Sequence, residues 1–133
     1  MKASEIQKYR NKTIRQLIDK AVKVVHAYVR ERDKDKPCIS CGIYTALEAG
    51  HFYSGGHYSA LKFNYDNIHG QCGRCNRHLS GNLNEYRKRI VERIGPERLA
   101  VLDRTADQYK RMNFKWDRFS LIDIIIDAQK IRK

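Results

Sequence analysis

Residues 66–82 read DNIHGQCGRCNRHLSGN, and this stretch decides which fold the chain can adopt. Cys72 and Cys75 are separated by two residues, and the earlier run CISC gives Cys38 and Cys41 the same spacing. A Cys-x-x-Cys turn directs two thiolates at one ion, and two such turns complete a tetrahedral shell. The spacing therefore predicts a structural Zn²⁺ bound by the four cysteines, with a redox dithiol or a disulfide as the alternatives.

The predicted zinc is closed to substrate because four thiolates fill its tetrahedral shell. Catalysis by a metal would therefore need a second ion held by other residues. The two cysteine pairs are separated by residues 42–71, which is longer than the spacing of a short zinc ribbon. We expect an inserted β-hairpin here, with the runs YTALEAGHFYS and HYSALKFN as strands and SGGH as the turn. Its aromatic residues are expected to pack in the hairpin core rather than to stack on bases, and they are Tyr53, Tyr58, Phe63 and Tyr65.

The composition indicates a small basic protein. Of 133 residues, 41% are hydrophobic and 32% are charged, and the formal net charge is +12. This is enough apolar material for one modest core, which a metal would help to stabilise. The charge fits a polyanion such as nucleic acid, although a basic surface can also serve solubility alone. The N-terminus has no apolar leader, and the longest apolar stretch, LIDIIIDAQ, is broken by aspartates, so we expect an intracellular protein without a transmembrane helix.

Helices are expected on both sides of the cysteine-bearing segment. Apolar residues recur every three or four positions through 4–32, which predicts one long N-terminal helix with a basic outer face. Ser120 and Asp123 form a weak capping box for the last helix. The other predicted helices cover 83–94, 96–111 and 121–132, and a short one starts within 73–80. The chain then divides into a basic N-terminal helix (1–36), a zinc-bearing core (37–95) and a C-terminal helical extension (96–133), within a single compact domain.

Three residues have the order and the context of the HNH, or ββα-metal, nuclease motif. His51 ends the run AGH on the first predicted strand, Asn67 lies five residues before Cys72, and Asn76 directly follows Cys75. The two cysteine pairs stand where zinc-bearing phage resolvases of this class, such as endonuclease VII, carry theirs. The resemblance implies an α+β fold whose 37–95 segment is a treble-clef-like ββα-metal nuclease core, flanked by a long N-terminal helix and several C-terminal helices.

The similarity extends beyond the motif. The runs RERDKDKPCISCG, AGHF and FNYDNIHGQCGRCNRHLSGNLNEYR closely resemble the NinG (Rap) family of phage lambda, over roughly residues 15–95. That family is associated with recombination and with cutting branched DNA such as Holliday junctions and D-loops. The resemblance therefore implies a structure-selective DNA endonuclease that acts in the cytoplasm of a bacterial host.

The resemblance also implies a role for each motif residue. Phosphodiester hydrolysis needs an activated water and a metal that stabilises charge on the phosphorane. His51, neutral near pH 7, would be the general base. Asn76 would supply an oxygen ligand to a catalytic Mg²⁺ or Mn²⁺. Asn67 would help to orient His51, although it could equally be a simple turn cap.

The chain departs from the family pattern directly before the histidine. Many members carry an aspartate there as a second metal ligand, whereas this chain has Gly50. Glu48 and His78 are the candidates to replace it. Strand alternation puts Glu48 on the face opposite to His51, which leaves the set of metal ligands open. Of the remaining histidines, His57 is expected in a surface turn and His69 in a structural hydrogen bond.

Basic side chains around the motif are the predicted contacts to DNA phosphates, although they could be no more than a solvated face. They are Lys62, Arg74, Arg77, His78, Arg87, Lys88 and Arg89. Symmetric cutting of a four-way junction requires two active sites, so a homodimer is expected, with the N- and C-terminal helices as candidate interfaces.

Two other hypotheses remain open at this stage. A non-catalytic zinc-knuckle DNA-binding protein would bind DNA in a salt-sensitive way without cutting it, and Gly50 favours this reading. An HNH nicking endonuclease acting on duplex DNA would cut linear duplex as readily as a junction.

Overall fold

The computed structural model describes residues 3–110 and 114–132, and within them the chain has an α+β fold of five α-helices and one two-stranded sheet. This confirms the predicted α+β class. In chain order the elements are α1 (Ala3–Tyr9), α2 (Ile14–Asp33), β1 (Glu48–His51), β2 (Ile68–Gln71), α3 (Leu83–Ile94), α4 (Pro96–Lys110) and α5 (Arg118–Arg132). Short 3-10 turns cover Ser59–Leu61 and Tyr65–Asn67, and a π-helical turn covers Arg74–His78.

The single N-terminal helix predicted over 4–32 is wrong, because the helix is broken after Tyr9 and restarts at Ile14. Thr13 caps the second helix. Its hydroxyl oxygen accepts from the Gln16 backbone N–H at 3.0 Å, and the Gln16 side chain accepts from the Thr13 backbone N–H at 2.9 Å. This reciprocal capping box supplies the hydrogen bonds that a continuous helix would otherwise provide. The apolar periodicity continues across the break because Tyr9 and Leu17 are buried in the same core.

The predicted hairpin also has a different partner strand. β1 pairs antiparallel with β2, in a register that sets Glu48 opposite Gln71 and His51 opposite Ile68. The predicted second strand, HYSALKFN, instead contains a 3-10 turn, in which the Leu61 N–H donates to the Tyr58 carbonyl at 2.9 Å. Leu61, in this turn, and Phe63, two residues later, are both buried.

The helices after the sheet follow the prediction closely. α3 matches the range 83–94, and α4 begins at Pro96 as expected, whereas residue 111 lies outside the described residues. α5 begins at Arg118, and the predicted capping box of Ser120 with Asp123 is wrong. The Asp117 carboxylate instead accepts from both the backbone N–H and the hydroxyl of Ser120, each at 2.8 Å. Among the residues that the structure describes, no helix combines the length and apolar composition needed to cross a membrane.

Two apolar clusters hold these elements together. The first joins α2 and α5 to the sheet, and it buries Leu121, Ile122, Ile125 and Ile126 of α5. The buried apolar residues of α5 therefore pack on the core of the same chain, whereas Phe119 and Ile131 of this helix are exposed. The homodimer stays a prediction. The second cluster packs α3 and α4 against the segment after β1, and buries among others Phe52, Leu61 and Tyr86.

Candidate metal-binding and catalytic site

The four predicted zinc ligands meet beside the end of β2. The Sγ atoms of Cys38, Cys41, Cys72 and Cys75 all lie within 4.8 Å of one another, and Cys41 Sγ is 3.8 Å from Cys72 Sγ. Thiolates at about 2.3 Å from a tetrahedral Zn²⁺ stand about 3.8 Å apart. All four thiols are free rather than paired in disulfides. The cluster can therefore hold one structural metal ion such as zinc.

The electrostatics of the cluster also fit a cation. Burial raises the pKa of Cys38, but backbone N–H donors from Cys41, Cys72 and Ser40 outweigh it and lower that pKa to about 7. Burial raises the pKa of Cys75 to about 12. Four crowded thiolates repel one another, and a divalent ion at their centre removes that penalty.

Two of the predicted ligands for a catalytic metal are in direct contact. Asn76 lies on the π-helical turn immediately after Cys75, and its Nδ2 donates to Glu48 Oε1 at 2.9 Å. The other oxygen of Glu48 forms an ion pair with Arg77 at 2.9 Å. His78, the third candidate, is exposed and makes no hydrogen bond or ion pair to another described residue. The structure thus joins Glu48 with Asn76 but gives His78 no bond to either.

The packing around Gly50 leaves no room for a side chain at this position. A Cβ at position 50 would lie 2.9 Å from Gln71 Cβ and still closer to the Gln71 amide oxygen. Gln71 is fully buried, and its Nε2 donates to Ser40 Oγ at 2.9 Å and to the Gly81 carbonyl at 2.6 Å. Position 50 therefore has no room for a carboxylate, and Glu48 is the acidic residue on the same strand face.

His51 has a defined tautomer. Its Nε2 lies 2.9 Å from the Lys62 carbonyl oxygen. A carbonyl oxygen can only accept, so Nε2 carries the proton and Nδ1 is the basic nitrogen of the neutral ring. Nδ1 makes no hydrogen bond to another described residue. Burial lowers the pKa of His51 below its ordinary 6.5, so the ring is neutral at pH 7.

A second histidine that the sequence analysis missed lies against His51. The ring of His26, on α2, is 5.6 Å from the His51 ring, centroid to centroid. Helical periodicity could have identified it, because position 26 lies four residues after position 22 and three before position 29, and both of these face the core from α2. His51 and Glu48 contact different parts of the molecule, and no hydrogen bond joins His51 to Glu48 or Asn76 among the described residues.

Asn67 acts on the chain that follows His51 rather than on its ring. The Asn67 side chain accepts from the Tyr53 N–H and donates to the Tyr53 carbonyl, both at 2.8 Å, and also donates to the Leu61 carbonyl at 3.2 Å. Its backbone carbonyl accepts from Phe52 N–H at 2.9 Å. These bonds fasten the loop after β1 to the start of β2. His69 is buried, with Nε2 2.9 Å from the Asp66 carbonyl, which agrees with the expected structural hydrogen bond.

The basic residues predicted to contact DNA differ in how their side chains are engaged. Arg74 and His78 are exposed and form no ion pair with the residues described. Four others form ion pairs, which are Arg77 with Glu48, Arg87 with Asp103, Lys88 with Glu85 and Arg89 with Glu85. The Arg89 guanidinium donates to the Ser40 carbonyl beside the first cysteine pair. Lys62 holds His51 through its backbone carbonyl. His57, as expected, lies in an exposed turn, where its Nδ1 is 2.8 Å from Ser54 Oγ.

Comparison with known proteins identifies the family. A profile of the family described as Bacteriophage Lambda NinG protein matches residues 1–132. Protein ninG of Salmonella phage P22 is 45% identical over 96 residues, and Protein ninG of Escherichia phage lambda is 42% identical over 95 residues. These alignments cover 71% and 70% of this chain but 46% and 47% of the two relatives, so the chain spans about half the length of the curated relatives it matches. No solved structure matches. On the family profile and these identities, the chain belongs to the NinG family of bacteriophage proteins.

Proposed function

We propose that this chain is a metal-dependent DNA endonuclease of the HNH (ββα-metal) type, which cuts branched DNA such as Holliday junctions and D-loops during phage recombination in the host cytoplasm. The observation that carries the proposal is the state of His51. It is a neutral imidazole whose Nε2 is fixed by a backbone carbonyl and whose Nδ1 is free. This is the arrangement that a general base for water activation needs.

The Glu48–Asn76 pair is the proposed site of the catalytic ion. In the present contact the Asn76 amide donates to the carboxylate. Rotation of the amide by half a turn would direct Oδ1 at Glu48 instead, and two oxygens facing each other can share a hard divalent cation such as Mg²⁺ or Mn²⁺. When bound, the ion would stabilise negative charge on the phosphorane and on the leaving oxygen. His51 Nδ1 would take the proton from the attacking water.

The cysteine cluster supports this site indirectly. Cys75 immediately precedes Asn76, and Cys72 immediately follows β2, whose partner strand carries Glu48. A zinc ion bound by the four thiolates would therefore fix the turn that bears Asn76 against the strand that bears Glu48. In this proposal zinc has a structural role, since its shell is full, and the hydrolysis uses the second ion.

Recognition of branched DNA would rest on charge and shape. The net charge of +12 favours a polyanion, and Arg74 and His78 lie exposed on the turn that carries Asn76. Contacts to phosphates carry no base information, so selectivity for a junction would come from the directions of its arms. Two symmetric cuts need two active sites, hence a homodimer, for which the N- and C-terminal helices are the candidate interfaces.

The test is cleavage of a labelled four-way junction beside a linear duplex of matched sequence, with Mg²⁺ or Mn²⁺. Wild type is compared with Glu48→Gln and Asn76→Ala, and with Asn11→Ala as an exposed asparagine remote in sequence from the site. Zinc content is measured for each protein. We expect junction cutting by wild type and Asn11→Ala, and its loss in the other two.

The remaining outcomes decide between the alternatives. Salt-sensitive DNA binding without cleavage by the wild type would make the chain a zinc-stabilised binding protein. Equal cutting of duplex and junction would make it an HNH nicking enzyme.

A further inference from the structure

An open groove lies between the loop after β1 and helix α3, outside the residues assigned above to catalysis. The volume of the groove is about 1020 Å³. Its apolar wall is formed by Phe52, Tyr53 and Tyr58, and its rim carries three basic side chains, Arg87, Lys88 and Lys110. An apolar aromatic wall under a basic rim suits a ligand that is flat and apolar on one side and anionic on the other.

The aromatic wall is a continuous cluster of rings. The Tyr53 centroid is 4.9 Å from that of Phe52 and 4.9 Å from that of Tyr58, and both pairs are edge-to-face. Phe52 is buried in the second apolar cluster, whereas Tyr53 and Tyr58 are only partly buried. The expectation that these tyrosines serve only the core is thus incomplete, because both also line the groove. Aromatic rings that line a groove can serve as sequence-tolerant stacking platforms for nucleic-acid bases.

The rim has cationic groups that phosphates can reach. Lys88 is 69% exposed in its ion pair with Glu85, and a pair this exposed is weak and screened. Arg87 is 48% exposed and donates to Asp103 through both of its terminal nitrogens, at 2.8 and 3.2 Å. Lys110 is exposed and makes no ion pair with another described residue. Asp103 accepts hydrogen bonds from both the Tyr53 hydroxyl and the Arg87 guanidinium, and these two donors offset its negative charge beside the groove.

Residues of the groove directly follow the proposed active-site histidine in the chain. Phe52 directly follows His51, and the Asn67 side chain fastens the backbone of Tyr53 to the start of β2. A strand bound in the groove would therefore be held in fixed register with His51. Paired bases are stacked inside their own duplex and cannot use such a wall, whereas unpaired bases can.

We propose that this groove binds unpaired DNA, with bases stacked on Tyr53 and Tyr58 and phosphates on Arg87, Lys88 and Lys110. The inference rests on the proposed function in taking DNA as the substrate, and it adds that the enzyme reads a single-stranded segment at the branch. The chemistry selects a single strand over a closed duplex.

The test is fluorescence anisotropy with a labelled oligodeoxythymidine, an oligonucleotide of the same length made of abasic residues, and a matched duplex, without added Mg²⁺. Stacking is worth about 5- to 150-fold in affinity for each base engaged. The wild type should bind the thymidine strand more tightly than the abasic strand by a factor in this range. Equal affinities for the two strands would overturn the inference without the use of any variant.

Two variants locate the binding in the groove. Tyr58→Leu should reduce the preference for thymidine over abasic strand, because only Tyr53 is left to stack on a base, and it should leave abasic binding unchanged. Tyr58→Phe should retain the full preference. Lys110→Gln should weaken both strands alike. Tyr44→Leu and Lys23→Gln are the matched controls, because both side chains are exposed and neither lines the groove. A preference as large in Tyr58→Leu as in the wild type, or affinities unchanged in Lys110→Gln, would contradict the assignment.

The outcome is separable from that of the cleavage test. Junction cutting together with equal affinity for thymidine and abasic strands would refute this inference without contradicting the nuclease proposal. Base-dependent binding in a protein that cuts no DNA would support the groove and reject the nuclease.

Discussion

His51 is the residue on which the proposed chemistry depends, and its surroundings determine both its tautomer and its charge. The Lys62 carbonyl requires a proton on Nε2, and the partial burial of the ring disfavours the imidazolium. His26 contributes to that burial from α2. Backbone geometry and helix packing thus prepare one side chain for proton transfer.

The lowered pKa of His51 predicts the pH dependence of cleavage. A general base must be neutral, so the rate should rise with pH through the His51 pKa and then level off. Because burial moves this pKa below 6.5, the midpoint of the acid limb should also lie below 6.5. A pH–rate profile at saturating Mg²⁺, with zinc content checked at each pH, measures it. An acid limb centred above pH 7 would contradict this assignment of the base.

Gly50 offers a second test at the scale of one residue. Gly50→Ala should lower the free energy of unfolding by about 1–3 kcal/mol, because the new Cβ would meet the buried Gln71 side chain. Gly56→Ala is the matched control, since a Cβ there would meet nothing within 4 Å. Urea unfolding measures both. A Gly50→Ala protein as stable as Gly56→Ala would show that position 50 can accept a side chain.

At the scale of elements, the two cysteine knuckles connect three otherwise separate pieces of chain. One knuckle follows α2, and the other begins directly after β2 and ends within the π-helical turn. Very short strands supply little pairing energy by themselves, so we expect the metal to stabilise this part of the fold strongly.

Removal of the metal should therefore unfold the core rather than only inactivate it. We expect one Zn²⁺ per chain by elemental analysis, and Cys41→Ser should lose the ion and lower the melting temperature. Thiol reagents should modify the cysteines only after chelation. A metal-free protein with unchanged stability and four readily modified thiols would be inconsistent with a structural zinc site.

Some of these elements could be predicted from the sequence and others could not. The cysteine cluster and α3 followed from local chemistry, because the Cys-x-x-Cys spacing and the Gly95-Pro96 boundary act within a few residues. The pairing of β1 with β2 did not, because it joins residues 17 to 23 positions apart, and HYSALKFN alternates like a strand although it forms a turn. The break before Ile14 was missed because apolar periodicity continues across it.

The candidate site was predictable to a similar degree. Glu48 and Asn76 could be named from the motif, but their contact depends on how the π-helical turn packs against β1. The crowding at Gly50 and the groove beside α3 arise only when distant side chains come together.

For the whole molecule, a buried ionic network joins the N-terminal half to the core. The Asp33 carboxylate, at the end of α2, is fully buried and accepts from the Arg32 guanidinium at 2.8 Å and from the Gly70 N–H in β2, also at 2.8 Å. Arg93 of α3 approaches the same carboxylate at 3.8 Å. One side chain therefore connects α2, the sheet and α3.

Loss of this carboxylate should destabilise the whole protein. Asp33→Asn should cost about 3–5 kcal/mol in the free energy of unfolding, because it leaves buried guanidinium charge unpaired. Asp35→Asn, two residues away and exposed, should change it by less than about 0.5 kcal/mol. Chemical denaturation of the two variants compares them directly. Equal stability would mean that the network contributes nothing to the fold.

The central claim is that His51 is the base of a nuclease, and the most direct test is the single-turnover rate of four-way junction cleavage with Mg²⁺ by wild type and His51→Ala. Both proteins must first be shown to carry the same zinc content. The account predicts cutting by the wild type and a loss of at least about 100-fold in the variant, partly restored by added imidazole. Cleavage by His51→Ala at the wild-type rate, or no cleavage by the wild type with either Mg²⁺ or Mn²⁺, would contradict it.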